Sequence, residues 1–413
     1  MTATGTATTS TATTSTAAPA TVTGIDRTAG VVAARGFRAA GVAAGIKPAG
    51  LLDLAVVRND GPQDAAAGVF TRNKVVAAPV LWSRQVLATG RLRAVVLNSG
   101  SANACTGADG FADAHATAEH AAAALGTGAI DVAVCSTGLI GRRLPLPAVL
   151  AGVTSAVAGL AGTAEAGLAA ARAVMTTDTV PKQAALRDLD GWTVGGFAKG
   201  AGMLAPSLAT MLVVLTTDAE ADRATLDGAL RAATGRTFDR LDVDGSCSTN
   251  DTVLLLASGA AGRRPSPTQL RDAVTAVCAD LARQLQADAE GVTKRVAVTV
   301  RGARSEADAV AVARAVARDS LVKTALFGAD PNWGRIAAAA GMADADLEQD
   351  RLDVAINGVT LCRGGCAVPG ETADLGATDI AVQVGLNLGD AEATILTTDL
   401  SHGYVEENSA YPS

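Results

Sequence analysis

The most informative stretch of this sequence is residues 195–212, Gly-Gly-Phe-Ala-Lys-Gly-Ala-Gly-Met-Leu-Ala-Pro-Ser-Leu-Ala-Thr-Met-Leu. Glycines crowd around Lys199, and such crowding indicates a tight backbone approach or positive φ angles. Thr210 follows at the start of an apolar run, where a threonine is typically a buried strand residue. The stretch therefore predicts a glycine-rich turn that leads into a strand, with Lys199 on the turn and Thr210 where the strand begins.

The same turn partly matches a dinucleotide-binding fingerprint. Gly200, Gly202 and Ala205 fit the pattern G-x-G-x-x-A, and they follow a predicted strand at 193–198. In a nucleotide fold the third small residue lies inside the helix that holds the pyrophosphate, but here Pro206 follows at once and would disrupt that helix. An unprocessed nucleotide-binding protein is therefore kept as an alternative from another class.

A second hypothesis for this stretch is self-cleavage. The Thr210 hydroxyl would attack the Ala209 carbonyl, and hydrolysis of the resulting ester would free a new N-terminus. Such a threonine carries its own base, since an α-amine with a pKa of about 8 can take the hydroxyl proton near neutral pH. A Ser-His-Asp triad has little material here, because the chain contains three histidines, which are His115, His120 and His402.

The apolar residues along the rest of the chain follow both secondary-structure periods. Short β-branched runs predict strands, and Ala-rich stretches with apolar residues three to four apart predict helices. The class is therefore mixed α and β. The clearest strands are 53–58, 92–98, 131–135 and 211–216, and the clearest helices are 112–125 and 267–290, the second ended by Gly291.

The C-terminal part of the chain contains a second, smaller α/β pattern. A strand at 295–301 precedes Ser305, which opens a helix with a capping sequence. Asn357-Gly358 marks the turn of a hairpin, and the strict alternation of 380–388 predicts a half-buried strand. We expect a smaller α/β region at about 292–365.

Composition excludes several classes of function. A formal charge of -7, without long like-charge blocks, shows no basic face for nucleic acid. Six scattered cysteines without a C-x-x-C pair suit reduced thiols in the cytoplasm and suggest no zinc site. Residues 1–22, rich in Thr and Ala, lack the features of a signal peptide and are predicted to be a disordered tail. The uncharged stretch 144–164 has one apolar face, which is typical of a helix in a soluble protein, so we expect no membrane partner.

Several motifs, spread in order over the chain, resemble the ornithine acetyltransferase family, also called bifunctional glutamate N-acetyltransferases. The similarity runs from about residue 24 to the C-terminus, and the joint occurrence of these motifs is highly specific. The stretches that carry it are 67–74 (AGVFTRNK), 98–107 (NSGSANACTG), 136–141 (STGLIG), 199–212 (KGAGMLAPSLATML) and 330–335 (DPNWGR).

The resemblance implies a precursor that is cleaved before Thr210, giving an α chain over 23–209 that ends at Ala209 and a β chain over 210–413. Thr210 would then be the nucleophile, and Thr137 with Gly138 would form the oxyanion hole, as a hydroxyl and a backbone N–H. For Ser136-Thr137-Gly138, a simple polar turn after a strand is compatible with that role. The substrate-binding positions implied by the resemblance are Thr176, Lys199, Thr210, Glu290, Asn408 and Ser413.

Physical chemistry bears on some of these positions independently. Only six of the 34 basic residues are lysines, so the compact ammonium of Lys199 could be needed to meet a substrate carboxylate, although a solvated surface lysine fits the local sequence as well. Glu290, predicted in the last turn of a helix, opposes the helix dipole, and a cationic ornithine side chain or α-amine would be a suitable partner. Asn408 and Ser413 lie at the extreme C-terminus, so their binding role requires the tail to fold back over the site.

The resemblance further implies a ping-pong enzyme of arginine biosynthesis that carries acetyl from N-acetylornithine through Thr210 to glutamate. It implies an αββα sandwich similar to N-terminal-nucleophile hydrolases, an α2β2 heterotetramer and no cofactor. The acidic stretch 241–251 lacks the twelfth-position Glu of an EF-hand, and we assign it no metal. Two questions stay open: a self-processed amidase or aminopeptidase is the alternative within enzymes, and acetyl-CoA could be a second donor.

Overall fold

The computed structural model describes residues 24–48, 50–204 and 211–410. The predicted tail 1–22, the cleavage pair Ala209 and Thr210, and Ser413 lie outside the described residues. The strands are β1 (Phe37–Val42), β2 (Leu54–Asn59), β3 (Ala66–Phe70), β4 (Ala94–Ser101), β5 (Val132–Leu139), β6 (Lys182–Arg187), β7 (Thr193–Lys199), β8 (Leu212–Thr217), β9 (Thr252–Ala257), β10 (Arg295–Ala303), β11 (Asp353–Ile356), β12 (Val359–Arg363), β13 (Cys366–Ala367), β14 (Asp379–Gly385) and β15 (Ala391–Thr398). The helices are α1 (Ala78–Val86), α2 (Gly107–Leu125), α3 (Leu146–Ala158), α4 (Ala164–Ala173), α5 (Arg223–Arg236), α6 (Pro267–Ala287), α7 (Glu306–Arg318), α8 (Ser320–Phe327), α9 (Trp333–Ala340) and α10 (His402–Ala410).

Two mixed sheets form the larger part of the molecule. The first sheet has the order β1-β2-β4-β5, with β4 and β5 parallel and the other pairs antiparallel. The second sheet has the order β3-β9-β8-β7-β6, in which β8 and β9 form the parallel pair. The predicted strands at 53–58, 92–98, 131–135, 193–198 and 211–216 all lie in these two sheets.

Helices cover the outer face of each sheet. One core packs α2, α3 and α4 on the first sheet and continues between the two sheets, where Phe197 and Val214 of the second sheet contribute. Successive strand residues point to opposite faces, so Val213 and Leu215 pack on α5 and α6 in a second core. The order of layers is helices, sheet, sheet, helices. This αββα sandwich confirms the predicted α+β class.

A third sheet, with the order β13-β12-β11-β14-β10-β15, forms a smaller unit with α7, α8 and α9 on one face. Ser305 caps α7 as predicted, because its Oγ accepts from the Asp308 N–H at 3.1 Å. Asn357 and Gly358 form the turn between β11 and β12. The unit extends beyond the expected range of 292–365, since β14 pairs with β10 in parallel and β15 pairs with β10 on its other edge.

Between residues 24 and 410, as far as they are described, none of the helices has the length and apolar character of a membrane span. The uncharged stretch 144–164 contains α3, whose buried residues include Val149 and Val153.

Candidate active site

Thr137, Thr176 and Lys199 lie together where the two large sheets meet, and we call them the lysine–threonine cluster. Thr137 is near the end of β5 in the first sheet, and Lys199 is the last residue of β7 in the second. The Lys199 Nζ donates to Thr176 Oγ1 at 2.8 Å and to Thr137 Oγ1 at 3.2 Å. Because Lys199 is only 1% exposed, it is not the solvated surface lysine that the local sequence also allowed.

The strand that follows Thr210 enters the sheet beside this cluster. Lys199 pairs with Leu212, the first residue of β8, in an antiparallel register. Met211, which follows Thr210 in the sequence, donates its N–H to Asp251 Oδ1 at 3.1 Å. The first described residues after the predicted cleavage site are therefore fixed next to the lysine–threonine cluster.

Gly138 cannot carry a side chain in this structure. Its φ of +126° is a conformation that residues with a Cβ rarely adopt. A Cβ at this position would lie 2.5 Å from the Gly100 carbonyl carbon and 2.7 Å from the Ser101 nitrogen, and both of those atoms are backbone atoms of β4. The glycine thus allows β4 and β5 to approach closely at the end that carries Thr137.

Gly138→Ala is expected to lower both stability and transfer. The added methyl group meets backbone that cannot move aside, so we expect a loss of about 2–3 kcal/mol and a melting temperature lower by several degrees. Gly141→Ala is the matched control, because Gly141 has a φ of +79° but no atom within 4 Å of a built Cβ. Equal melting temperatures of the two variants in thermal unfolding would contradict the packing argument.

Asp178 contacts the residues of the cluster through its buried carboxylate. This residue was not among the positions predicted from the sequence. Its Oδ1 accepts from the Gly200 N–H at 2.6 Å, and its Oδ2 accepts from the Thr176 N–H at 3.0 Å. Oδ2 also lies 3.9 Å from Lys199 Nζ. The signal in the sequence was weak: an Asp two residues after a threonine often closes a local turn in this way.

Glu290 lies beside the glycine-rich turn rather than in a helix. The prediction of a helix over 267–290 was wrong at its end, because α6 stops at Ala287 and Asp288 is its C-cap. The argument from the helix dipole therefore does not apply to Glu290. Its N–H donates to the Ala201 carbonyl at 3.1 Å, and a Cβ on Gly202 would lie 2.5 Å from its carboxylate.

The C-terminal helix does fold back to this region. Asn408 on α10 donates from Nδ2 to Glu290 Oε2 at 2.9 Å. The start of α10 crosses Gly291, where a Cβ would lie 2.0 Å from the Tyr404 nitrogen. Ser401 Oγ donates to the Gly291 carbonyl at 2.5 Å and fixes this crossing. Two of the predicted substrate positions, Glu290 and Asn408, are therefore in direct contact.

A buried acid, Asp251, lies beside the residue that precedes β8. Asp251 is fully buried, and its Oδ2 accepts from Cys247 Sγ at 3.5 Å. Burial raises the pKa of Asp251 well above its usual range, and the neighbouring Cys247 adds to the rise. The sequence indicated 241–251 only as an acidic stretch without a metal; the specific signal for Asp251 is an acid that directly precedes β9, whose residues after Thr252 are all apolar.

Burial and neighbouring charges set the protonation of the cluster. Burial lowers the pKa of Lys199, while the Asp178 carboxylate opposes that effect. For Asp178, burial alone would raise the pKa, but Lys199 and Lys182 overcome this and lower it to about 2. Burial also raises the pKa of Tyr404 to about 12, with Asp244 and Glu290 contributing. Asp178 is therefore an anion at neutral pH and helps to keep Lys199 cationic.

The structure does not fit the dinucleotide-binding alternative. β7 has antiparallel neighbours on both sides, β6 and β8, whereas the fingerprint requires a β-α-β unit with parallel strands. The described residues after Lys199, up to 204, contain no helix that could hold a pyrophosphate. Across the described ranges, no three His, Cys, Asp or Glu side chains are arranged to hold a metal ion.

The fold and the cluster thus define a two-sheet enzyme scaffold with buried donors at the end of β7, which pairs with the start of β8. The sequence profile of the ArgJ family matches residues 38–413, and the chain belongs to this family. This confirms the resemblance found in the motifs and assigns the chain to an acyltransferase family of arginine biosynthesis.

Several curated relatives are similar over nearly their whole length. The arginine biosynthesis bifunctional protein ArgJ of Mycolicibacterium paratuberculosis is 65% identical over 393 residues, covering 94% of this chain and 97% of that protein. The protein of the same name from Thermobifida fusca is 60% identical, covering 92% of this chain and 99% of that protein. A solved structure of an ornithine acetyltransferase from Mycobacterium tuberculosis complexed with ornithine is 67% identical, covers 44% of this chain and 97% of that chain, and has a TM-score of 0.44.

Proposed function

We propose that this chain transfers an acetyl group from N-acetylornithine to glutamate. The lysine–threonine cluster is the observation that carries the proposal, because it offers a buried cation and two hydroxyls directly across from the start of β8. Such donors suit a substrate that has both a carboxylate and an acyl carbonyl. The name of the relatives, arginine biosynthesis bifunctional protein, supports amino-acid substrates of that pathway.

The nucleophile would be made by self-cleavage. Thr210 Oγ attacks the Ala209 carbonyl carbon, the peptide C–N bond breaks, and the chain is joined by an ester. Water then hydrolyses the ester, which leaves a carboxylate on Ala209 and a free α-amine on Thr210. That amine lies next to its own hydroxyl and can act as its base near neutral pH.

Transfer then proceeds in two half-reactions. Thr210 Oγ attacks the acetamide carbonyl of N-acetylornithine, the negative oxygen is held by the Thr137 hydroxyl and the Gly138 N–H, and ornithine leaves as the C–N bond breaks. The Thr210 amine takes the hydroxyl proton and passes it to the leaving amine. Glutamate repeats the sequence in reverse on the acetyl ester, which releases N-acetylglutamate and restores the hydroxyl.

The charged residues around the cluster would orient the substrate. Lys199 meets the substrate α-carboxylate, with Thr176 beside it, and Glu290 meets the ornithine ammonium. Asn408 already contacts Glu290, so α10 closes this end of the site. Ser413 would complete it from the end of the chain.

Assembly and compartment are part of the same proposal. The two products of cleavage, 23–209 and 210–413, would stay together as an α2β2 heterotetramer. A cytoplasmic location is supported by thiols that form no disulfide at Cys105, Cys135, Cys278, Cys362 and Cys366.

A donor and acceptor assay tests this function. With N-acetylornithine and isotope-labelled glutamate, we expect labelled N-acetylglutamate and ornithine in equal amounts, and parallel lines in double-reciprocal plots. Acetate released at the same rate without glutamate would identify an amidase instead. Acetyl-CoA in place of N-acetylornithine shows whether a second donor is used, and turnover with acetyl-CoA alone would contradict the proposed donor.

A further inference from the structure

The Asp178 carboxylate contacts the main chain of the lysine–threonine cluster at Thr176 and directly after Lys199, but not at β5. It accepts hydrogen bonds from the N–H groups of Thr176 and Gly200 and stands 3.9 Å from the Lys199 ammonium. Its side chain is 0% exposed. An isolated buried carboxylate is costly, so its partners must hold it as firmly as it holds them.

A second buried lysine extends these contacts to α6. Lys182 Nζ, which is 0% exposed, donates to Asp178 Oδ1 at 2.7 Å and to Asp288 Oδ2 at 2.5 Å. Asp288 also accepts from the Thr179 N–H at 3.0 Å and from the Thr179 hydroxyl. Asp288 is the C-cap of α6 and stands two residues before Glu290. We call Asp178, Lys182 and Asp288 the Asp178 network.

We propose that Asp178 is a positioning residue for acetyl transfer: its buried carboxylate holds Thr176, Gly200 and the Lys199 ammonium in one arrangement. Through Lys182 and Asp288 it also fixes the end of α6 that carries Glu290. The residues that would meet the two ends of the substrate therefore belong to one rigid unit. This inference rests on the proposed transfer reaction and adds to it a residue that does not touch the substrate.

The charge of Asp178 has a separate consequence for Lys199. Burial lowers the pKa of Lys199, and Asp178 is the strongest of the groups that raise it again. Lys199 has to be protonated to hold a carboxylate, so transfer is lost as the pH rises through the Lys199 pKa. The charged groups that act on Lys199 are Asp178, Asp251 and Glu290, which raise its pKa, and Lys182 and Lys47, which are cations.

Asp178→Asn tests the proposal through the pH profile of kcat/KM for N-acetylornithine. The amide keeps the shape of the carboxylate but removes its charge, so the Lys199 pKa falls further. We expect the alkaline limb of the profile to move to lower pH. At neutral pH we expect kcat/KM to fall by about 10-fold or more, because Thr176 and Gly200 are held less firmly. The variant is first checked for cleavage and for its melting temperature.

Lys182→Met gives a prediction of opposite sign. It removes a cation that lowers the Lys199 pKa, so the alkaline limb should move to higher pH. The pH profile of this variant replaces that of Asp178→Asn as the test if Asp178→Asn is not cleaved or does not fold. Asp178→Glu retains the charge, so its alkaline limb should stay near that of the wild type even if kcat/KM falls.

The outcomes separate this inference from the proposed function. Wild-type protein that forms no N-acetylglutamate would contradict the proposed function itself. Wild-type transfer combined with an unmoved alkaline limb in Asp178→Asn, or in Lys182→Met where Asp178→Asn is not cleaved or does not fold, would overturn only the role of Asp178. A purely structural Asp178 would lower the melting temperature and the rate equally at every pH.

Discussion

Thr210→Ala is expected to remain a single full-length chain of 41.0 kDa and to transfer no acetyl group. The substitution removes the hydroxyl that attacks the Ala209 carbonyl and later carries the acetyl group, so cleavage and transfer are lost together. Loss of a covalent nucleophile in related chemistry costs on the order of 10⁴-fold or more in rate. Denaturing electrophoresis and the N-acetylglutamate assay measure the two effects on the same sample.

Two variants make this result specific to the nucleophile. Thr210→Ser keeps a hydroxyl and should still be cleaved and active at a reduced rate. Thr216→Ala removes a hydroxyl from β8, where Thr216 Oγ1 donates to the Val31 carbonyl at 2.8 Å. It should be less stable but still cleaved. A cleaved and active Thr210→Ala protein would disprove the assignment of Thr210.

Lys199→Met is expected to have the second largest effect. The side chain is nearly as long, but the ammonium that donates to Thr137 and Thr176 is lost, and with it the partner of the substrate carboxylate. Truncating one partner of a buried charge pair costs about 3 kcal/mol, which is on the order of 100-fold in kcat/KM. Lys199→Arg should not restore the rate, because a planar guanidinium does not fit a site that is 1% exposed.

Lys294→Met is the matched control for the loss of a lysine charge. Lys294 lies at the third sheet, and its Nζ donates to the carbonyls of Leu375 and Ala377 at 2.8 Å. It should retain transfer while losing some stability. Michaelis–Menten constants for N-acetylornithine compare the variants, and wild-type values in Lys199→Met would contradict the role of Lys199.

The fold followed closely from local patterns. β7 and β8 lie within one residue of the strands predicted at 193–198 and 211–216, and Ser305 caps α7 as expected. These elements could be predicted because strand alternation and helix capping are local properties of the sequence. The range predicted for the smaller unit ended too early. The parallel pairing of β14 with β10 joins segments about 80 residues apart, and no local sequence pattern indicates such a pairing.

The candidate site could be predicted from the sequence only in part. The motifs singled out Thr137, Thr176 and Lys199, and the structure brings these three residues together. The ion pair of Lys182 with Asp288 joins residues separated by 106 positions, so no local pattern indicates it. Burial, which lowers the pKa of Lys199, likewise depends on how the layers pack together and not on the local sequence.

The central claim is that Thr210 is both the new N-terminus and the carrier of the acetyl group. Intact mass spectrometry after denaturation tests it directly, on wild-type protein incubated with N-acetylornithine and no glutamate. The account predicts two fragments, of which only the one beginning Thr-Met-Leu-Val gains a single acetyl group, and this group disappears when glutamate is added. An active preparation that consists of one full-length chain, or that carries the acetyl group on the fragment ending at Ala209, would contradict it.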